Sequence, residues 1–285
     1  MTDAFNTPWF LLTTATLLGL IVGSFLNVVI YRLPKMMEQT WRRECCEFLE
    51  QPEPTEPVIT LALPNSSCRS CGTVIKPWHN VPVISYLLLM GKCASCGKAI
   101  SLRYPLVEIA TGLLSLAAAI TFGPSWELIG ALALLWSLIA LTGIDIDTQL
   151  LPDSITLPLL WLGLLLNLFG IFTDLSSAVI GAMLGYGSLW SVYWLFKLTT
   201  GKEGMGYGDF KLLAALGAWF GWQALPLIII LSSFVGAALG IVLVVIKRQG
   251  RDVPMPFGPY LAGAGLLCLF YGDTLTQRYL EWVGM

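Results

Sequence analysis

The chain has 285 residues, with 16 Lys and Arg against 18 Asp and Glu, a formal net charge of -2, and 56% hydrophobic but only 12% charged residues. Soluble domains carry about 25% charged residues, and a mean hydropathy of +0.74 leaves more apolar surface than a soluble fold can hide. Composition therefore excludes an ordinary soluble enzyme and predicts an all-α polytopic membrane protein.

A hydrocarbon core about 30 Å thick asks for about 20 apolar residues per helix, and about eight transmembrane helices can be read along the chain. The first runs from Trp9 to Ile30. No Lys or Arg precedes it (Met1 to Pro8) and Asn27 interrupts its end, so it is expected to stay as an anchor and not to be cleaved as a signal peptide. The second runs from Tyr104 to Phe122, the third lies between Glu127 and Asp145, the fourth between Asp153 and Asp174, and the fifth from Ser176 to Phe196. The uncharged stretch from Leu212 to Ile246 exceeds one span, and Gly221, Trp222, Gln223 and Pro226 offer a turn that splits it into two helices, one short. The eighth runs from Phe257 to Tyr271. With the N-terminus outside, the segment from Arg32 to Arg103 and the turns near Asp145, Lys202 and Lys247 are cytoplasmic. Every Lys and Arg except Arg278 then lies inside, as the positive-inside tendency requires. The organisation expected is an N-terminal helix (1–30), a cytoplasmic insert (31–103) and a seven-helix membrane domain (104–285).

The insert is the one water-soluble segment. Its front part, with Glu50, Pro52, Pro54, Glu56 and Pro57, reads as an irregular linker. Its back part carries two C-x-x-C knuckles, Cys68 with Cys71 and Cys93 with Cys96, which predict a small zinc-ribbon-like unit holding one zinc ion through four thiolates. Gly72 and Gly97 after the pairs permit the turn backbone. The competing reading, two disulfides, is disfavoured because loop charge puts the insert in the reducing cytosol. Cys45 and Cys46 are adjacent and suit chelation poorly, and Cys268 in an apolar span reads as a small buried hydrophobe. His79, the only histidine, reads as a loop residue, and its solitude disfavours a Ser-His or Cys-His triad.

Ionisable groups in or beside membrane spans are expensive and read as functional by default. The third span ends in Gly143-Ile144-Asp145-Ile146-Asp147, continuing to Leu151-Pro152-Asp153, and the loop after the fifth ends in Gly204-Met205-Gly206-Tyr207-Gly208-Asp209. The helix from Asp209 to Trp222 is about 21 Å long at 1.5 Å per residue, short of the core thickness, so Asp209 and Asp145 can lie at one depth below the cytoplasmic surface. Two carboxylates in a poorly hydrated place repel, so one keeps its proton while the other ionises. That is the chemistry of an aspartic protease, in which one carboxylate activates water and the other protonates the developing oxyanion. Glycines at 204, 206 and 208 are expected to admit a substrate strand and to adopt positive φ; no strand precedes them, which argues against a nucleotide loop. Asp153 reads as an N-cap, and Glu108 as a residue that snorkels to the interface beside Arg103. Asp147 stays undecided, because on a helix it would point away from Asp145. The Gly181/Gly185, Gly217/Gly221 and Gly236/Gly240 pairs read as helix-packing positions.

Several stretches together carry a family likeness: Gly23 through Pro34, the two knuckles, Arg103 through Glu108, Asp145-x-Asp147 through Leu151-Pro152-Asp153, and Gly206 through Leu213. The chain resembles the type 4 prepilin peptidases, bifunctional bacterial inner-membrane enzymes of the GxGD aspartyl protease class. The resemblance implies cleavage of the basic leader from type IV prepilins and type II secretion pseudopilins. It also implies N-methylation of the new N-terminus with S-adenosylmethionine. It carries the catalytic pair onto Asp145 and Asp209 and ties methyl transfer to the insert, including Gly91; no S-adenosylmethionine pocket is legible in the residues themselves. The partners implied are the pilin substrates and membrane lipid, with no nucleic acid. The rival class is an ion- or proton-coupled transporter using Asp145 and Asp209 as relay sites, which would predict a repeat between halves and give the knuckle insert no role. A third reading makes the insert a docking module for a secretion ATPase, which leaves the intramembrane aspartates unexplained.

Overall fold

The protein is described by a computed structural model covering residues 8–52, 56–247 and 255–283. Residues 1–7, ahead of the first span, and Pro54 of the Pro/Glu-rich stretch lie outside the described residues. The chain divides into two compact units between Pro124 and Ser125.

In the first unit, α1 (Pro8–Phe48) and α3 (Arg103–Phe122) pack along their lengths, with the short α2 (Ile84–Leu88) between them in sequence. The pair is antiparallel and close, because small residues line the crossing. A Cβ on Gly23 would sit 2.8 Å from Glu108 Cα, and one on Gly112 would sit 2.9 Å from the Leu20 side chain. Asn27, buried within α1, donates to the Tyr104 carbonyl at 3.1 Å, so the polar residue that interrupts the first span fastens the start of α3. The first helix does not stop where its apolar run stops. It continues through Pro34 to Phe48, a polar extension the hydropathy pattern does not announce. The extension serves as a strut: the Arg32 guanidinium donates to the carbonyls of Thr60, Leu61 and Pro64, and Gln39 bonds both Pro57 and Ile59.

The second unit contains α4 (Trp126–Thr148), α5 (Asp153–Leu168), α6 (Leu175–Thr200), α7 (Tyr207–Phe220), α8 (Leu225–Lys247) and α9 (Gly258–Val283). Ser125 caps α4 by accepting from the Leu128 N–H, and Asp174 caps α6 by accepting from the Ser177 N–H. The turn expected inside 212–246 is present: α7 ends at Gly221, whose φ of +80 suits glycine, and a 3-10 turn leads into α8. The short α7 is the hub, with its face from Leu212 to Trp219 entirely buried. It lies antiparallel to α6 at a backbone-to-backbone crossing, Gly181 against Gly217 and Gly185 against the Leu213 carbonyl. Alongside α5 it runs in the same direction, with Trp219 Nε1 donating to the Leu159 carbonyl.

Among the described residues, five helices are long and apolar enough to cross a membrane, and Asp153–Leu168 and Gly258–Gly272 are shorter apolar helices. No named strand occurs among the described residues, only two isolated bridges, Ser67 with Val74 and Lys92 with Ala99. The architecture is all-α and membrane-spanning, with a small insert built on the knuckles.

Candidate active site and metal centre

Asp145 sits in the last turn of α4 and Asp209 in the first turn of α7, and both are nearly buried, at 4% and 7% exposure. They are close enough to interact directly through their charges. The two surroundings differ. Asp145 Oδ2 accepts the Gly258 N–H at the start of α9, at 2.8 Å, whereas Asp209 Oδ1 is buried with no hydrogen-bond partner. The pair is thus assembled from α4, α7 and α9, and the bond from Gly258 to Asp145 spans 113 positions of sequence.

The glycines around Asp209 act differently from expectation. Gly206 has φ -81 as the N-cap of α7, and positive φ is found elsewhere. Their requirement is steric: a Cβ on Gly208 would stand 2.7 Å from Leu151 Cβ, and one on Gly204 would stand 2.9 Å from the Phe196 ring. Beside them the rings of Tyr193, Tyr207 and Phe210 pack at 5.3 to 5.7 Å between centroids and wall the entry to α7.

Asp153 is not a cap. Pro152 takes the N-cap position of α5, and both Asp153 oxygens instead lie 2.7 Å from Lys211 Nζ, tying the first turns of α5 and α7 together next to Asp209. This pair joins residues 58 positions apart, so helical spacing could not reveal it. Glu108 does not snorkel: it is buried, and its Oε2 accepts the Val83 N–H at 2.8 Å, anchoring the loop ahead of α2 to α3. Val83 has φ +59, a strained value for a β-branched residue. Asp147 lies on the exposed side of α4, as its two-residue offset from Asp145 requires.

The second cluster is in the first unit. The Sγ atoms of Cys68, Cys71, Cys93 and Cys96 all lie within 4.8 Å of one another, and those of Cys68 and Cys96 are 3.9 Å apart. A tetrahedral zinc with Zn–S near 2.3 Å separates its sulfurs by about 3.8 Å, so the donor set fits. The knuckles are built alike. The Cys68 N–H bonds the Thr73 carbonyl while the Gly72 N–H bonds Cys68, and the Cys93 N–H bonds Lys98 while the Gly97 N–H bonds Cys93. Gly72 and Gly97 take φ +72 and +69, as expected of the turns. Backbone N–H groups hold the Cys68 and Cys93 thiols below the ordinary range, as the Thr73 hydroxyl and N–H do for Cys71. Cys96, although favoured by the Lys98 N–H, is pushed up to about 11 by the crowd of neighbouring sulfurs. A cation between the sulfurs would let all four ionise side by side. Cys45, Cys46 and His79 stay outside the cluster, and Cys268 is buried in α9. Arg69, inside the first knuckle, stacks on Tyr31 and Tyr104, with the guanidinium carbon 4.0 and 5.8 Å from the ring centroids, which seats the cluster against the middle of α1 and the start of α3.

Gly91 has φ +67, and a Cβ there would fall 2.8 Å from Tyr86 Oη, so the turn itself demands glycine. These contacts account for the residue without describing a cradle for a methyl donor.

The family model described as the Bacterial Peptidase A24 N-terminal domain matches residues 17–122, which hold the four cysteines. The one described as the Type IV leader peptidase family matches residues 132–241, which hold Asp145 and Asp209. Similar proteins include the prepilin leader peptidase/N-methyltransferase of Pseudomonas aeruginosa, 58% identical over 94% of this chain and 93% of that protein. Those of Stutzerimonas stutzeri and Aeromonas hydrophila bear the same name, at 56% and 53% identity, each over 97% of this chain and 96% of the relative. No solved structure matches the chain. Similarity at this level across nearly the whole length, with both family models aligned over the two clusters, establishes that this chain belongs to the type IV leader peptidase family.

Proposed function

We propose that this chain cuts the basic leader from type IV prepilins and N-methylates the residue so exposed, acting at the cytoplasmic face of the bacterial inner membrane. It treats the pseudopilins of type II secretion in the same way. The observation that carries this reading is the pair of nearly buried carboxylates brought together from α4 and α7. Asp145 and Asp209 are the catalytic pair. One takes a proton from water as the water oxygen bonds the scissile carbonyl carbon, and the other delivers a proton to the carbonyl oxygen. The neutral tetrahedral adduct then collapses, the C–N bond breaks, and the leaving amine carries a proton away. The Lys211–Asp153 pair and Gly208 under Leu151 position the turn bearing Asp209.

The four cysteines hold zinc, which shapes the insert and lies outside the proteolytic chemistry. S-adenosylmethionine supplies an electrophilic methyl group, and the insert around Gly91 is where this activity resides. The seven spans after the insert form the peptidase domain, and positive-inside placement orients the insert and both aspartates towards the cytoplasm. The transporter reading gains nothing from relatives whose names are those of peptidases and methyltransferases.

Purified protein incubated with a prepilin and S-adenosylmethionine should yield a product lighter by the leader and heavier by one methyl group. Asp145→Asn and Asp209→Asn should each accumulate in membranes near the parent level and leave prepilin uncut, because the amide cannot serve as base and relieves repulsion within the pair. Cleavage by Asp145→Asn within about tenfold of the parent, a barrier change of only about 1.4 kcal/mol, would defeat the assignment and turn attention to Asp147.

A further inference from the structure

The two carboxylates are not equivalent. Asp145 points an oxygen at the first N–H of α9, and glycine leaves room for this approach: a Cβ there would stand 2.6 Å from Asp145 Oδ2 and 3.1 Å from Leu151 Cδ2, so a larger residue must shift the carboxylate. A backbone N–H at a helix start favours the negative form of whatever it bonds, through the hydrogen bond and through the unpaired N–H groups of the first turn behind it. Asp209 faces the opposite situation. Its Oδ1 is buried with no partner, at a residue 7% exposed, and a bare buried carboxylate oxygen is costly whereas a carboxylic acid there can donate. Around Asp145 the packed elements offer the Gly258 N–H from α9, the apolar Leu151 side chain from the turn before α5, and Asp209 from α7. The nearby cation, Lys211, is engaged with Asp153.

We infer that Gly258 is a positioning residue that makes Asp145 the base and leaves Asp209 as the acid. The inference rests on the reading of this pair as catalytic. Asp145 takes a proton from the attacking water as the C–O bond forms, and the carbonyl π electrons move to oxygen, which takes the Asp209 proton. In the collapse, Asp145 passes its proton to the leaving nitrogen as the C–N bond breaks. Asp209 recovers a proton from one hydroxyl of the adduct as the new carboxyl group forms, and both aspartates return to their starting states. Sequence pattern could not single out Gly258, because the acting group is a backbone N–H.

Two substitutions separate the N–H from the space it occupies. Gly258→Ala adds a Cβ that the end of the Asp145 side chain must move to accommodate but keeps the donor, whereas Gly258→Pro imposes the same shift and removes the donor at the first position of a helix, where proline is tolerated. With purified full-length protein and a prepilin, kcat of Gly258→Pro should fall about tenfold or more below that of Gly258→Ala, the effect of one hydrogen bond to a charged group, with KM unchanged within about twofold. Methyl transfer to an already cut pilin should match the parent in both, which certifies the fold. Equal kcat in the two variants overturns the inference, and so does a faster Gly258→Pro, which would make Asp145 the acid. If proline disturbs folding, a backbone ester at 258, with glycolic acid in place of glycine, deletes the N–H without added atoms, and the same outcomes decide. Parent protein that leaves prepilin uncut would refute the peptidase reading itself, a separate result.

Discussion

At the residue scale, the polar side chains buried among apolar helices carry most of the specific information, and Asn167 shows how. It is 1% exposed at the end of α5, and all its hydrogen-bonding capacity is used. Nδ2 donates to the carbonyls of Ala218 and Trp219, and Oδ1 accepts from the N–H groups of Phe172 and Thr173. The amide thereby finishes the end of α7 and the turn into α6. Asn167→Leu preserves volume and orphans four backbone groups, two of them in fully buried bonds worth about 1 to 3 kcal/mol each, so thermal unfolding in detergent should show a loss of at least about 3 kcal/mol. The signal was on view in the sequence, a lone Asn in the run Leu164-Leu165-Leu166-Asn167-Leu168. An uncharged amide stands out less in an apolar run than a carboxylate does. Asp145 and Asp209 were legible because charge in an apolar run is conspicuous. Gly258 and the Lys211–Asp153 pair were not, because a backbone donor has no residue signature and an ion pair across two helices has no spacing.

At the element scale, two devices set the geometry, and each can be broken alone. The α6–α7 crossing relies on Gly181 and Gly217 meeting backbone to backbone, so a side chain at either position forces apart the helices that flank the tyrosine wall and Asp209. Gly181→Val should lower both thermal stability and prepilin cleavage, whereas Gly187→Ala, with open space around its Cβ, should change neither. The knuckles are the second device. Metal-site energy in such units is largely folding energy, so Cys71→Ser should unfold the insert and abolish metal binding while α4 to α9 stay assembled. Metal analysis of protein never exposed to chelator should find one zinc per chain; less than about half an equivalent would reject the site. Methyl transfer should suffer at least as much as cleavage. These elements were legible to different degrees. Paired cysteines followed by glycine announce a knuckle, and uncharged runs announce spans. The extension of α1 from Tyr31 to Phe48 was hidden, since its residues are polar, Pro34 suggests an end, and the contacts that stabilise it come from residues 57–64.

For the whole molecule, the arrangement of charge along the chain decides which way the helices face, and the proposed chemistry needs both aspartates on the same side as the insert. Asp145 lies at the C-terminal end of α4 and Asp209 at the N-terminal end of α7, so the two intervening helices, α5 and α6, must return the chain to the side from which it left. Lys197, Lys202 and Lys211 cluster at that side, with Lys197 also paired to Glu203 at 2.8 Å, while the opposite connection between α5 and α6, residues 169–174, carries Asp174 and no Lys or Arg. On the proposed orientation, with the excess of cations on the cytoplasmic side, the carboxylate pair would lie inside. Single cysteines introduced beside Lys202 and at residue 172, in a protein whose Cys45, Cys46 and Cys268 are replaced, test this in intact cells with a membrane-impermeant thiol reagent. The cysteine beside Lys202 should label only after the membrane is opened, whereas the one at 172 should label in intact cells, with the knuckle cysteines giving the cytoplasmic background. Labelling in the reverse order would turn the second unit over, put Asp145 and Asp209 on the outer side, and remove the pair from reach of a cytoplasmic leader.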